Sequence, residues 1–297
     1  MNGQLIAQMK KDAQSINELL EKIYFGNRDE ELDGIIKSMS YSLMAGGKRI
    51  RPIIALSFCR LFGGKDEAVL PYALALEMVH TASLIHDDLP CIDDDELRRG
   101  RPTNHVVFGE STALLAGDGL LMDAYGLIAK NSLVSAEMNV QAVSVLSDCT
   151  GTHGLVGGEY IDVMGEETPL NLESLRKMDA YKTGALIKAS AYLGALAAGV
   201  SLDDERMADV SVYAENIGLA FQIVDDVLDV IGNAEELGKN PGADAKENKS
   251  TYLKFYSLDE ATKYAKELTR DAVNAISKYE NSEFLRNLAV YLTDRRN

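Results

Sequence analysis

The sequence predicts an all-α protein organised as one helical domain across residues 1–297. Three observations carry that expectation. Apolar residues recur at spacings of three and four along most of the chain, the periodicity of a helix face. Only six prolines interrupt 297 residues. No segment alternates apolar and polar residues in the manner of a half-buried strand, and no low-complexity linker or internal repeat divides the chain.

Taken in order, Leu32, Ile35, Ile36, Met39 and Leu43 mark the first periodic stretch. Ala73 to Asp88, Ser111 to Leu133 and Glu137 to Thr150 follow, then Leu175 to Ala198, Asp204 to Val230 and Leu258 to Tyr279. Breaks are expected at Gly46-Gly47, Gly63-Gly64, Gly157-Gly158 and in GKNPGADAKENKS. The long uncharged run ALIKASAYLGALAAGVSL is interrupted by Lys188 and rich in Ala and Gly. A buried core helix is expected there, not a membrane span.

Composition narrows the partners. Apolar residues make up 46% of the chain, enough for a substantial core, and the formal net charge is −16 with pI near 4.7. Nucleic acid and anionic membranes need a basic face, so neither is expected as the main partner. Cys59, Cys91 and Cys149 are odd in number and lack CxxC spacing, which fits a reducing compartment. MNGQLIAQMKKDAQ has no charged-then-apolar signal pattern, so a cytoplasmic location is expected.

Negative charge concentrates in two places. LIHDDLPCIDDD holds five aspartates behind an apolar run, and FQIVDDVLDV echoes it. On a helix, Asp225 and Asp229 lie only about 40° apart, with Gln222 one turn earlier on the same stripe. The rest of that helix is apolar nearly all round, and no Lys or Arg occurs between Met207 and Leu237. Buried carboxylates without a partner cost several kcal/mol, so a divalent cation or a distant basic residue has to face them. A solvated acidic face is the alternative, disfavoured by those apolar neighbours.

In the first cluster His80, Ser83, Leu84 and Asp87 share a face. Asp87 and Asp93 sit about 240° apart on a regular helix, but Pro90 breaks the turn and lets Asp93 return toward Asp87. Carboxylates that share a cation with phosphate oxygens and water suit Mg²⁺. The spacing matches neither an EF-hand nor a zinc site. Positive charge is equally local: GGKRIRP supplies Lys48, Arg49 and Arg51, LRRGRP supplies Arg98, Arg99 and Arg101, and YKTGALIK supplies Lys182 and Thr183. Such clusters beside a metal site form a receptor for phosphate oxygens. Pairing of LRRGR with its own DDDE is the alternative.

Together, GGKRIRP, HDDLPCIDDDELRRGRPTNH, LAGDGL, YKTGALI, FQIVDDVLD and LGKNPGADAKENKSTY resemble the trans-isoprenyl diphosphate synthases in order and spacing, from about residue 20 to the C-terminus. The four residues between the DD pair and the next Asp are similar to the bacterial farnesyl and the bacterial or plant geranylgeranyl diphosphate synthases. The resemblance implies a helical barrel around a central cavity, usually a homodimer. It implies Mg²⁺, three ions with substrate bound and Mn²⁺ as a substitute, on Asp87, Asp93 and Asp225, with Asp88, Asp226 and Asp229 in support. Arg98, Lys182, Lys239 and Lys249 would help hold an allylic diphosphate. Lys48, Arg51, His80 and Arg99 would hold isopentenyl diphosphate.

The implied reaction ionises the allylic carbon–oxygen bond, adds the isopentenyl double bond to the cation and loses a proton. Gln222, Thr183 and a backbone carbonyl near Lys182 would stabilise the cation. Charge on the leaving group is stabilised by metal ions and cations. Bulky rings four or five residues before the first Asp close the cavity in short-product members of the family; here Ser83 and Ala82 are small, so a geranylgeranyl product is within reach, unless Leu114, Leu115 or Met122 closes the floor. The family's usual GGQ is GGE here, which places Glu159 near the site. A terpene cyclase and a non-catalytic partner subunit of a heteromeric synthase are the alternatives. The isopentenyl-binding set argues against the first, and retention of both aspartate motifs against the second.

Overall fold

The structure, a computed structural model, describes residues 2–25, 30–231 and 250–294. Helices dominate them: α1 (Asn2–Phe25), α2 (Asp33–Leu43), α3 (Ile50–Leu61), α4 (Asp66–Asp87), α5 (Asn104–Phe108), α6 (Glu110–Ala129), α7 (Ala136–Thr150) and α8 (Leu155–Glu167). After α9 (Leu172–Asp179), a π turn (Ala180–Gly184) leads into α10 (Ala185–Ala197), followed by α11 (Arg206–Ile231), α12 (Leu258–Ile276) and α13 (Glu283–Thr293).

The central member is α10, the uncharged run flagged above. Leu186, Ala189, Leu193 and Leu196 have no exposed surface, and the helix packs against α3, α4, α7 and α11. Full burial of each such leucine contributes about 2 kcal/mol before the entropy of ordering is counted. A second apolar cluster joins α9, α11 and α12 around Leu175, Ile223, Leu228, Tyr252 and Leu268. By length and composition α4 and α6 could cross a bilayer; in this fold 67% of the apolar window of α4 and 33% of that of α6 are buried inside the protein.

Three departures from the sequence reading have local causes. Helices α1, α3, α5, α8 and α13 arise outside the stretches singled out by periodicity. In α3 every residue from Pro52 to Cys59 is buried, so no polar face marks the period. Gly157 and Gly158 do not break the chain but lie inside α8; the break falls earlier, around Gly151 to Gly154. The stretch from Leu175 to Ala198 is not one uniform helix, because the π turn divides it.

A two-residue hairpin pairs β1 (Leu97–Arg98) with β2 (Arg101–Pro102). Its corner residues Arg99 and Gly100 both have positive φ, 55° and 74°, as a tight two-residue connection requires. Tyr41 ties the hairpin to α2: its hydroxyl donates to the Pro102 carbonyl at 2.8 Å, and Arg101 lies 4.5 Å from its ring centre.

The entry to α3 is held by Arg49, at φ 52° and 3% exposed. Its guanidinium donates to Glu77 of α4, to the Leu43 carbonyl at 2.6 Å and to Asn17 Oδ1 at 2.8 Å. Removing one member of a buried ion pair leaves the other charge uncompensated. Glu77→Ala is therefore expected to lower stability by about 3 kcal/mol, read from the urea midpoint of unfolding.

Candidate active site

The acidic end of α4 forms as the proline predicts. The helix stops at Asp87, the Leu89 N–H tightens back to the His86 carbonyl at 3.1 Å, and the Asp93 N–H donates to the Asp87 carbonyl at 2.9 Å. Asp93 is thus folded back over Asp87. The two neighbours in the DD pair part company. Asp87 is half-buried and faces Asp93, Glu159 and Lys182, and burial first, then the charge of Glu159, pushes its carboxyl up to about 7. Asp88 is 3% exposed and accepts from Arg98 Nε at 2.7 Å. Its carboxylate is the counter-ion of Arg98.

Lys182 projects from the π turn. Such turns shift the side-chain register by an extra residue and recur at functional sites. Its ammonium donates to Asp162 Oδ2 at 2.6 Å and to Glu159 Oε1 at 3.0 Å. Burial opposes the charge, but the two carboxylates outweigh it and raise the pKa. Gly158 makes this contact possible: a Cβ there would lie 2.2 Å from the backbone nitrogen of Lys182, so α8 can approach the π turn only with glycine at that position. Glu159, the departure from GGQ, is therefore a direct partner of Lys182 and a like charge beside Asp87. Asp162, absent from the sequence-level set, is its companion three residues on.

The second acidic motif lies on α11. Asp225 is half-buried, Asp229 is 4% exposed, and Asp226 Oδ2 accepts the backbone N–H of Tyr252 at 2.6 Å. Gln222 connects this helix to the π turn, donating Nε2 to Asp179 Oδ1 at 3.4 Å. Burial pushes the Asp179 carboxyl up to about 6, with Asp162 adding to it and Lys182 opposing. The π turn thus has Asp87 on one side and Gln222 on the other. Thr183 is half-buried within it. Lys239 and Lys249 lie outside the described residues.

Cations gather around His80, two turns before Asp87 on α4. The Arg99 guanidinium donates to the Gly46 carbonyl, which joins GGKRIRP to LRRGRP. Burial lowers the pKa of Arg51, with Arg99 adding to the effect, and no acceptor reaches the buried Arg51 Nε among the described residues. Burial holds the His80 imidazole well below its ordinary value, reinforced by Arg51, Arg99, Arg98 and Arg49, so it stays neutral. Lys48 is exposed at the rim. Arg49, part of the same motif, points inward to Glu77 and does not join this group.

Ser83 is half-buried on the face of Asp87, its hydroxyl donating to the His80 carbonyl at 2.9 Å. Ala82, read from the sequence as floor, has no exposed surface and belongs to the main core. Leu114, Leu115 and Met122 stand on the outer surface of α6, the last 65% exposed. A cavity of about 660 Å³ opens behind the π turn, lined by Tyr181, Gly184, Lys188 and Leu219. None of the motif aspartates borders it, so it is separate from the carboxylate cluster.

Among the described residues no three His, Cys, Asp or Glu side chains converge closely enough to hold a metal by themselves. The donor set still suits a hard cation: Asp87 and Asp93 are adjacent and Asp87 carries the strain of like charges, which a divalent ion would relieve. Mg²⁺ is typically held by one or two carboxylates plus phosphate oxygens and water, so an incomplete cage is the expected form.

Clustered carboxylates next to clustered arginines on one helical bundle fit an enzyme that handles anionic substrates. The polyprenyl synthetase family model matches residues 33–289. A geranylgeranyl diphosphate synthase of Cyanophora paradoxa is 47% identical over 266 residues, 89% of this chain and 88% of that protein. A heterodimeric geranylgeranyl pyrophosphate synthase large subunit of Arabidopsis thaliana is 44% identical, over 89% of this chain and 72% of that one. The crystal structure of an FPP/GFPP synthase from Zymomonas mobilis superposes with a TM-score of 0.87 at 31% identity, covering 98% of this chain and 100% of the other. The chain belongs to the polyprenyl synthetase family. It is a trans-prenyltransferase with the all-α isoprenoid synthase fold.

Two outcomes follow from this geometry. Gly158→Ala pushes α8 off the π turn, so kcat is expected to fall by about a hundredfold with the helical signal retained, measured by steady-state kinetics and circular dichroism. Glu159→Gln removes the strongest like charge on Asp87. A folded-state value of about 7 against the ordinary acid range means that Asp87 contributes stability at low pH, lost as pH rises toward 7. The variant lowers that midpoint, which a carboxyl-carbon NMR titration of the metal-free protein reads directly.

Proposed function

We propose that the enzyme condenses isopentenyl diphosphate with dimethylallyl, geranyl and farnesyl diphosphates and releases geranylgeranyl diphosphate as its main product, with Mg²⁺ as the metal. The observation that carries this reading is the cation group around Arg51, His80 and Arg99. Neither arginine forms an ion pair among the described residues, and one buried N–H has no acceptor. An isopentenyl diphosphate head would supply those acceptors, Arg by forked hydrogen bonds, Lys48 as a point charge, neutral His80 by one ring N–H.

At the C-terminal end of α4, Asp87 and Asp93 offer the protein's oxygens for the allylic diphosphate, with Asp225 from α11. Divalent metal, when bound, neutralises the charge that develops on the departing diphosphate. Lys182, fixed between Glu159 and Asp162, adds a donor at a set position, and pre-set donors need no reorganisation during reaction. The Gln222 carbonyl oxygen and the Thr183 hydroxyl are the mild electron donors available to an allylic cation. No side chain is assigned as the base; the released diphosphate takes the proton.

Chain length rests on Ser83, which is small and lies one turn before Asp87 on its face. The length named for the Cyanophora paradoxa relative agrees with it. A homodimer is proposed on the apolar stripe of Leu114, Leu115 and Met122 along α6, exposed in the single chain; the Arabidopsis relative's name raises a heteromeric pairing instead.

Incubation with isopentenyl diphosphate, each allylic diphosphate and Mg²⁺, with chelator as control, is expected to yield metal-dependent geranylgeranyl diphosphate. Ser83→Tyr is expected to shift the product to farnesyl diphosphate by chromatography. An unchanged length distribution would remove Ser83 from the cavity, and no condensation with any primer would overturn the assignment.

A further inference from the structure

Asp179 is an acid without an obvious partner of opposite charge. It is the last residue of α9, immediately before the π turn, and 4% exposed. Lys182 is near it, yet the ammonium is bonded to Glu159 and Asp162 instead. What reaches Asp179 is neutral: the Gln222 amide donates its Nε2–H to Asp179 Oδ1 at 3.4 Å. A buried carboxylate met by a single neutral side-chain donor has little reason to exist for stability alone, since burial without a bonded cation is costly.

The geometry of a carboxamide suggests its use. Nitrogen and oxygen occupy opposite corners of one plane, so a carboxylate that accepts from Nε2 turns Oε1 away from itself. On α11 that leaves Oε1 on the half-buried side that Gln222 shares with Asp225, one turn on. A carboxylate can only accept, so it tolerates one orientation of the amide and rejects the flipped one.

We infer that Asp179 is a positioning residue that orients the Gln222 amide, so that its carbonyl oxygen, and not its N–H₂, faces the carbon that becomes cationic. The inference rests on the prenyl-transfer reading for what Gln222 does, but not for the contact itself. An N–H₂ turned to the cation would repel it and lengthen its exposure to water. Capture by water then forms a carbon–oxygen bond and releases a proton, giving a prenyl alcohol and free diphosphate in place of the condensed product.

The test is a double-mutant cycle with Asp179→Asn and Gln222→Leu. Asn has the same shape but can present N–H₂ or oxygen, which releases the amide. Asp179→Asn is expected to lower kcat about tenfold with both KM values within about twofold, and to raise the share of prenyl alcohol. In the Gln222→Leu background the same change is expected to alter kcat by less than about twofold. Urea unfolding of the four proteins gives a second readout that needs no activity: non-additive midpoints are expected. Independent effects on kcat, an unchanged alcohol share, or additive midpoints would overturn the inference. If the unmodified enzyme condenses no prenyl diphosphates, the functional reading fails instead, and the unfolding cycle still decides whether Asp179 holds Gln222.

Discussion

The site depends on one arrangement: the Lys182 ammonium held between Glu159 and Asp162 on a helix that touches its backbone. Salt bridges on open surface contribute little, because water screens them and long side chains lose entropy on pairing. Here the side chains are 24%, 16% and 18% exposed, and the backbones are brought together by Gly158. The contact therefore fixes the π turn relative to α8. That turn in turn sets Asp179 against Gln222, and Glu159 against Asp87.

Charge at the end of α4 is sorted by the choice of partners. Asp87 and Asp88 are adjacent in sequence and about 100° apart on the helix, so they face different surroundings. One joins the carboxylates, the other neutralises Arg98. Glu77 does similar service one side over, taking Arg49 inward while Arg51 and Arg99 keep donors for an anion. Like charges held this close destabilise the resting protein and favour whatever ligand relieves them. The two charge groups are thus strained electrostatically rather than mechanically.

Much of this was legible in the linear sequence. Pro90 after the paired aspartates foretold the return of Asp93, and the periodic stretches fall on α2, α4, α6, α7 and α9 to α12. The uncharged Ala-rich run foretold a buried helix at the centre. Other features had no linear signal. Arg49 and Arg51 look equivalent in GGKRIRP, and only the left-handed conformation at Arg49 turns its side chain toward Glu77. Gly157-Gly158 reads as punctuation, yet it serves close packing inside a helix. Asp179 carries no motif at all: its meaning comes from Gln222, 43 residues away in sequence.

The sequence by itself determined the helical class, the family, and the presence of two acidic and several basic segments, because each of these is a local pattern of residue types at fixed spacing. Which carboxylate faces which cation was decided only by tertiary structure. Helix phase, a π turn and a two-residue hairpin rotate neighbouring side chains into different environments. The energy that distinguishes those environments comes from burial and from charges distant along the chain.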